Sequence, residues 1–132
     1  MALTLQHPES EIASVVAFLK TVFLKQLKKH AVIAVSGGID SALSLTLLAR
    51  ALPADQIFPI FLPHGDQSVL DSQTICEFNQ IPEKNIQSIN IESAVKKIED
   101  TLFSTPYRLD PMEKIDEFRV GNIMARVRMI FI

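Results

Sequence analysis

The spacing of apolar positions changes several times along the chain, and each change marks an element. Residues 9–29 place Ile12, Val15, Val16, Leu19, Val22, Phe23 and Leu27 at helical spacing, so they predict an amphipathic helix. Ser10 suits its N-cap, and Lys25, Lys28 and Lys29 lie near its end, where the helix dipole favours cations. His30 is read as a junction residue. Residues 31–35 (Ala-Val-Ile-Ala-Val) are apolar without alternation, the pattern of a strand buried on both faces. Residues 41–52 hold no Gly or Pro and predict a helix that ends at Pro53. Residues 56–62 predict a second strand, and Pro59, which lacks a ladder donor, predicts an irregularity or a sheet edge. Residues 70–79 predict a helix burying Leu70, Ile75 and Phe78, broken by Pro82. Residues 85–91 predict a third strand, and 92–103 a helix with Ala94, Val95, Ile98 and Leu102 on one face. Pro106 and Pro111 make 104–113 a loop, and a last helix starts at Ile115 and runs through Phe118, Ile123, Val127, Ile130 and Phe131. Strands alternating with helices imply right-handed crossovers, hence a three-layer α/β/α domain around a parallel sheet.

The chain has 132 residues, 48% of them hydrophobic and 21% charged, which suits one globular domain. A formal net charge of −2 gives no reason to expect a nucleic acid or an anionic membrane as partner. No stretch is long and apolar enough to span a bilayer, and no signal-peptide pattern opens the chain. The single cysteine, Cys76, excludes an internal disulfide and a multi-cysteine zinc site. It fits a reducing cytoplasm, and its position suggests packing. The run Arg128-Met129-Ile130-Phe131-Ile132 stops on apolar residues without a cap, which leads us to expect an incomplete chain.

Chemistry concentrates between the first strand and the next helix, at Ser36-Gly37-Gly38-Ile39-Asp40-Ser41. The glycines allow a tight turn and close approach by a ligand. The first N–H groups of the helix lack intrahelical partners and favour an anion, and Ser36 and Ser41 add hydroxyls at either end. A carboxylate at Asp40 beside a phosphate makes sense if Mg²⁺ lies between the two. The stretch lacks the lysine of the Gly-Lys-Ser/Thr phosphate loop and the spacing of the dinucleotide fingerprint. A turn that merely caps a helix is the plain alternative. After the second strand, Pro63-His64-Gly65-Asp66-Gln67-Ser68 is turn chemistry at the sheet edge where open parallel sheets bind ligands.

Ser36-Gly37-Gly38-Ile39-Asp40-Ser41 resembles the pyrophosphate loop, Ser-Gly-Gly-x-Asp-Ser, of the N-type ATP pyrophosphatases. Two further runs resemble the NAD synthetase family within that group. These are Leu62-Pro63-His64-Gly65-Asp66-Gln67, followed by Asp71 and Gln73, and Gly121-Asn122-Ile123-Met124-Ala125-Arg126-Val127-Arg128-Met129. The resemblance spans about residues 8–132 and implies an adenine-nucleotide α-hydrolase-like, Rossmann-like fold, of which residues 1–132 are the N-terminal part of a single domain. It implies ATP-dependent amidation of nicotinic acid adenine dinucleotide (deamido-NAD) by ammonia. The steps would pass through an NAD-adenylate and release AMP and pyrophosphate. Ser36, Gly37, Gly38 and Ser41 would hold the β,γ-phosphates, with Ile39 in the same loop, and Asp40 would bind Mg²⁺. Ala34 and Val35 would line the ATP side, Gln67 would lie near the adenosine, and Arg126 would bind deamido-NAD. The family is homodimeric.

Two positions depart from the family pattern. Ala34 stands where glycine is common, and Phe61 where several members carry an ATP-touching arginine. The family's later Gly-Thr-x-x-x-x-Glu segment, with its second Mg²⁺ ligand, does not occur in these 132 residues, so little synthetase activity is expected of this chain alone. The absence of a visible glutaminase domain favours ammonia as donor. Two alternatives stay open: another ATP pyrophosphatase, such as a GMP synthetase or a tRNA-modifying adenylating enzyme, and a truncated, non-catalytic nucleotide-binding module. Taken residue by residue, Arg126 and Arg128 are ordinarily solvated or ion-paired. His64 is read as structural, since the resembled family tolerates tyrosine there, and Asp66 and Asp71 as a solvated loop and helix start.

Overall fold

Residues 7–104 and 117–132 are described by the computed structural model. Along the chain these are α1 (Pro8–Lys25), β1 (Ala31–Ala34), α2 (Ile39–Ala51), β2 (Ile57–Phe61), α3 (Leu70–Phe78), β3 (Gln87–Ser88), α4 (Glu92–Phe103) and α5 (Glu117–Ile130). Short 3₁₀ turns, Ala54–Gln56 and Glu83–Asn85, lead into β2 and β3. The sheet order is β1-β2-β3 and every pairing is parallel.

Side-chain alternation along β2 divides the core into two layers. Ile57 and Phe61 pack with Val35, Leu45, Leu48, Cys76 and Ile81, between the sheet and α2 and α3, and Phe23 of α1 reaches the same cluster. Ile60 and Leu62 face the opposite way, toward Ile91, Val95 and Val127 of the α4–α5 layer. The sheet therefore lies between two helical layers, the α/β/α arrangement expected from the alternating strands and helices.

Several boundaries differ from the sequence reading, each for a local reason. The first helix ends at Lys25, not near residue 29. Leu27 turns left-handed (φ 55°), and the N–H groups of Leu27 and Lys28 donate to Leu24 O and Phe23 O. This double closure ends a helix, but here leucine occupies the place that usually holds glycine, so the stop has no sequence signature. Nor does Ser10 cap the helix: His7 is the N-cap, and the Ser10 hydroxyl donates back to His7 O at 3.0 Å. In α3 the inward residues are Ser72 and Cys76, one turn apart, with Ile75 half-buried, whereas Leu70 and Phe78 are exposed. The ladder of β3 is only two residues long, although Ile89 and Ile91 N–H extend the contact by donating to Phe61 O and Pro63 O. The loop expected at 104–113 and the start expected at Ile115 lie almost wholly outside the described residues.

Pro59 is buried in the central strand, not at an edge. Ile60 O accepts from Val35 on the β1 side, and Phe61 O accepts from Ile89 on the β3 side. Pro59 shares the side of Phe61, and the β3 ladder begins only at Ile60. The missing N–H therefore falls where no ladder partner stands. Asn85, buried below this point, donates from Nδ2 to Asp55 O and Ile57 O, both at 3.0 Å, and ties the entry of β3 to β2.

Ile57 is fully buried, whereas Val32 is 51% exposed on the same sheet. Ile57→Ala is expected to cost about 2–5 kcal/mol through lost burial and a cavity. Val32→Ala should change stability by no more than about 0.5 kcal/mol. Urea unfolding of the two variants checks the contrast.

Candidate functional site

A cleft of about 60 Å³ opens at the C-terminal edge of the strands. Its walls come from four elements: Ala34, Val35 and Ser36 from β1 and its exit, Ile60 to Pro63 from β2 and its exit, Gln67 to Val69 with Ser72 from the start of α3, and Arg128 from α5. This edge is where open parallel sheets place their ligands.

The turn beside the cleft is built by its own hydroxyls. Ser41 Oγ donates to Gly38 O at 2.8 Å and accepts from Ser36 N–H at 3.2 Å. With that proton committed, the 3.2 Å contact between the two hydroxyls has Ser36 as donor, and Ser36 Oγ in turn accepts from Gly38 N–H at 3.4 Å. Gly37 is left-handed (φ 81°), and a Cβ placed on it would lie 3.1 Å from Asp71 Cβ. The backbone conformation favours glycine there, and a side chain would also need Asp71 to yield slightly. The helix α2 begins at Ile39, two residues earlier than expected, with Gly38 as N-cap. The first-turn amides of Ile39, Asp40 and Ser41 therefore have no intrahelical acceptor and stand at the positive end of the helix.

The sequence-predicted residues fall into three groups. Ala34, Val35, Ser36 and Gln67 line the cleft. Gly37, Gly38, Ile39, Asp40 and Ser41 form the adjoining turn, with Ile39 81% exposed and the Asp40 side chain also exposed. Arg126 is exposed on α5 and does not line the cleft. No group of three or more His, Cys, Asp or Glu side chains able to hold a metal occurs among the described residues.

Two polar cleft residues were not among the site residues expected from the sequence, and one of them, Arg128, was expected to be solvated or ion-paired. Ser72 is buried and donates from Oγ to Val35 O at 3.1 Å, fastening α3 to the end of β1. Its signal was the one-turn spacing from Cys76. Arg128 is half-buried, with Nε donating to Leu62 O at 3.1 Å and Nη2 to Gln67 Oε1 at 3.4 Å. Position 128 lies one turn after Met124 and borders the inward stripe of Val120, Met124 and Val127, whereas 126 falls off that stripe. Gln67 Oε1 also accepts from His64 N–H at 3.4 Å, so His64 enters the site through its backbone. Gly65 (φ 60°) makes the turn between them, and its carbonyl accepts from Asn90 Nδ2 at 2.9 Å.

Cys76 packs fully buried under this edge. Burial, and secondarily the charge of Glu77, pushes its thiol up to about 11. The group therefore favours the folded state as a neutral thiol, and that contribution fades as pH rises toward the raised value.

A parallel α/β sheet with a Gly-Gly turn into a helix at its C-terminal edge defines a Rossmann-like α/β domain. Within that class, the family model described as NAD synthase matches residues 11–132, and the chain belongs to that family. It is 32% identical over 122 residues to an NH(3)-dependent NAD(+) synthetase of Thermoplasma acidophilum, covering 92% of this chain and 45% of that protein. It is 36% identical over 132 residues to the NH(3)-dependent NAD(+) synthetase of Bacillus pumilus, covering 93% of this chain and 46% of that one. The chain thus spans under half the length of these curated relatives. The structure of an NH3-dependent NAD synthetase from Campylobacter jejuni superposes with a TM-score of 0.77 at 23% identity, covering 93% of this chain and 49% of that one. At that identity the likeness shows the fold.

Gly37→Ala is expected to destabilise by about 1–2 kcal/mol from left-handed strain alone, before any shift of Asp71. Gly121→Ala is the control, because a Cβ there meets nothing within 4 Å and the residue is helical. Denaturant melts of both variants test this. A second measurement follows Cys76: iodoacetamide at pH 8 should label it slowly in the folded chain and rapidly in denaturant.

Proposed function

We propose that this chain carries the ATP-activating portion of an ammonia-dependent NAD synthetase. The reaction would amidate deamido-NAD. The nicotinate carboxylate attacks the α-phosphorus of ATP and expels pyrophosphate, and ammonia then attacks the activated carbonyl and expels AMP. Family membership and the names of the curated relatives support this reading. The observation that carries it is the turn from Ser36 to Ser41, whose hydroxyls are already locked while the amides at the start of α2 remain without intrahelical acceptors. A carboxylate is a poor acyl donor until it is esterified to phosphate, so the first step asks the protein chiefly for alignment and charge stabilisation.

In this reading Ser36, Gly37, Gly38, Ile39 and Ser41 cradle the β,γ-phosphates, and Ala34, Val35 and Gln67 line the adenosine side. The 60 Å³ cleft is too small for a whole nucleotide, so the β,γ-phosphates lie over the exposed turn while the end of the phosphate chain next to the adenosine reaches the cleft. Mg²⁺ fits the donor set: Asp40 offers one hard carboxylate beside the turn, and phosphate oxygens of the ligand would share the ion with it. The ion would supply charge neutralisation on the departing pyrophosphate. Arg126, exposed on α5, is free to meet deamido-NAD as a bidentate donor. We further read the enzyme as a cytoplasmic homodimer. The exposed Met129 and Ile130 at the end of α5 offer apolar surface to a partner, and the buried Cys76 thiol suits a reducing compartment.

Titration calorimetry of the chain with ATP and Mg²⁺ tests the reading. Binding is expected, and Asp40→Asn should weaken it about tenfold or more, since a Mg²⁺-bridged contact is worth at least one charged hydrogen bond. The exposed Asp40 side chain makes little packing, so the melting temperature of the variant should stay close to that of the parent. A parent chain that does not bind ATP with Mg²⁺ would overturn the reading.

A further inference from the structure

Arg128 has no assigned task, yet its surroundings are unusual for an arginine. It lines the cleft between the ends of β1 and β2. Its two hydrogen bonds both go to neutral acceptors, Leu62 O through Nε and Gln67 Oε1 through Nη2. Among the described residues no carboxylate pairs with it. A guanidinium carries more N–H donors than these two bonds use, and it cannot shed its charge. A half-buried cation held between a carbonyl and an amide suits an anion brought by a ligand.

The anchoring also fixes its direction. Val127, next in the chain, is buried against Ile91 and Val95, so the helix cannot roll to release the side chain. Leu62 O belongs to the exit of β2, and Gln67 is itself tied to His64 N–H. The fork is therefore pre-organised, with most of its rotamer freedom already spent by these contacts. Ser36 borders the same cleft, which places the cation beside the phosphate-type turn. Arg126, two positions earlier on the helix, cannot share this face.

We propose that Arg128 is an anion-contacting residue of the nucleotide site. Leu62 O and Gln67 Oε1 hold its guanidinium so that the remaining donors meet a phosphate group of the ligand in the cleft. The inference rests on the nucleotide reading above and adds a specific contact to it.

The test compares two probes on the chain, ATP with Mg²⁺ and adenosine, by calorimetry. Arg128→Gln and Arg128→Met remove the charge, and Met keeps much of the apolar stem. Either variant, provided it melts cooperatively, should lose about tenfold or more in affinity for the phosphorylated probe. Its affinity for adenosine should change by less than about threefold, because Gln67 stays tied to His64 N–H and a neutral ligand has no use for the charge. In the wild-type chain the Arg128 Nε–H resonance should also shift on titration with ATP and Mg²⁺, while that of Arg126 serves as reference. This measurement stands even if neither variant folds. Equal losses for both probes, or an unmoved Arg128 resonance in a chain that binds ATP, would overturn the assignment of Arg128 and leave the nucleotide reading intact. A wild-type chain that binds neither probe would overturn the nucleotide reading, and the proposal with it.

Discussion

Both backbone polar groups of Val35 are committed. Its N–H donates to Ile60 O at 3.0 Å, and its carbonyl accepts from the buried Ser72 hydroxyl at 3.1 Å. Its side chain, 2% exposed, fills the layer shared with Leu45, Ile57 and Phe61. The chain therefore leaves the sheet from a point held by strand, helix and core together. A buried carbonyl left without its donor would cost more than the bond itself contributes, which makes the position hard to shift. From there the turn at 36–41 is shaped by its own serine hydroxyls.

The second wall of the cleft is organised from the opposite face of the sheet. Ile60 and Leu62 join it to the α4–α5 layer, and Arg128 crosses from α5 to the exit of β2. Gln67 is then gripped between Arg128 and His64. Two helical layers that share no core cluster thus meet at one edge, each supplying one side of the site. This is the geometric reason why parallel α/β sheets collect function at the carboxyl ends of their strands. The chemistry placed there, a positively poised helix start with Asp40 on one side and an anchored cation on the other, suits a ligand that brings both phosphate and metal.

The exposed apolar residues are distributed unevenly. Leu70 and Phe78 of α3, Phe18 and Leu24 of α1, and Met129 and Ile130 of α5 all lie outside the two core clusters. Scattered surface apolar groups of this kind are ordinary.

The strand and helix order, the parallel sheet and the Gly-Gly turn were legible from residue pattern alone, because period and glycine placement are local properties of the chain. The motif runs pointed to the family for the same reason: each is contiguous. Other features depended on contacts between distant residues. The burial of Pro59 in a central strand rests on where β3 happens to start pairing. The choice of Ser72 and Cys76 over Leu70 and Phe78 depends on which face of α3 meets β1. The preference for Arg128 over Arg126 at the cleft follows from which face of α5 packs inward. Sequence determined which elements form and where an anion site can open. Tertiary packing decided which side chains face it, since a helix presents residues in every direction and only its neighbours select one.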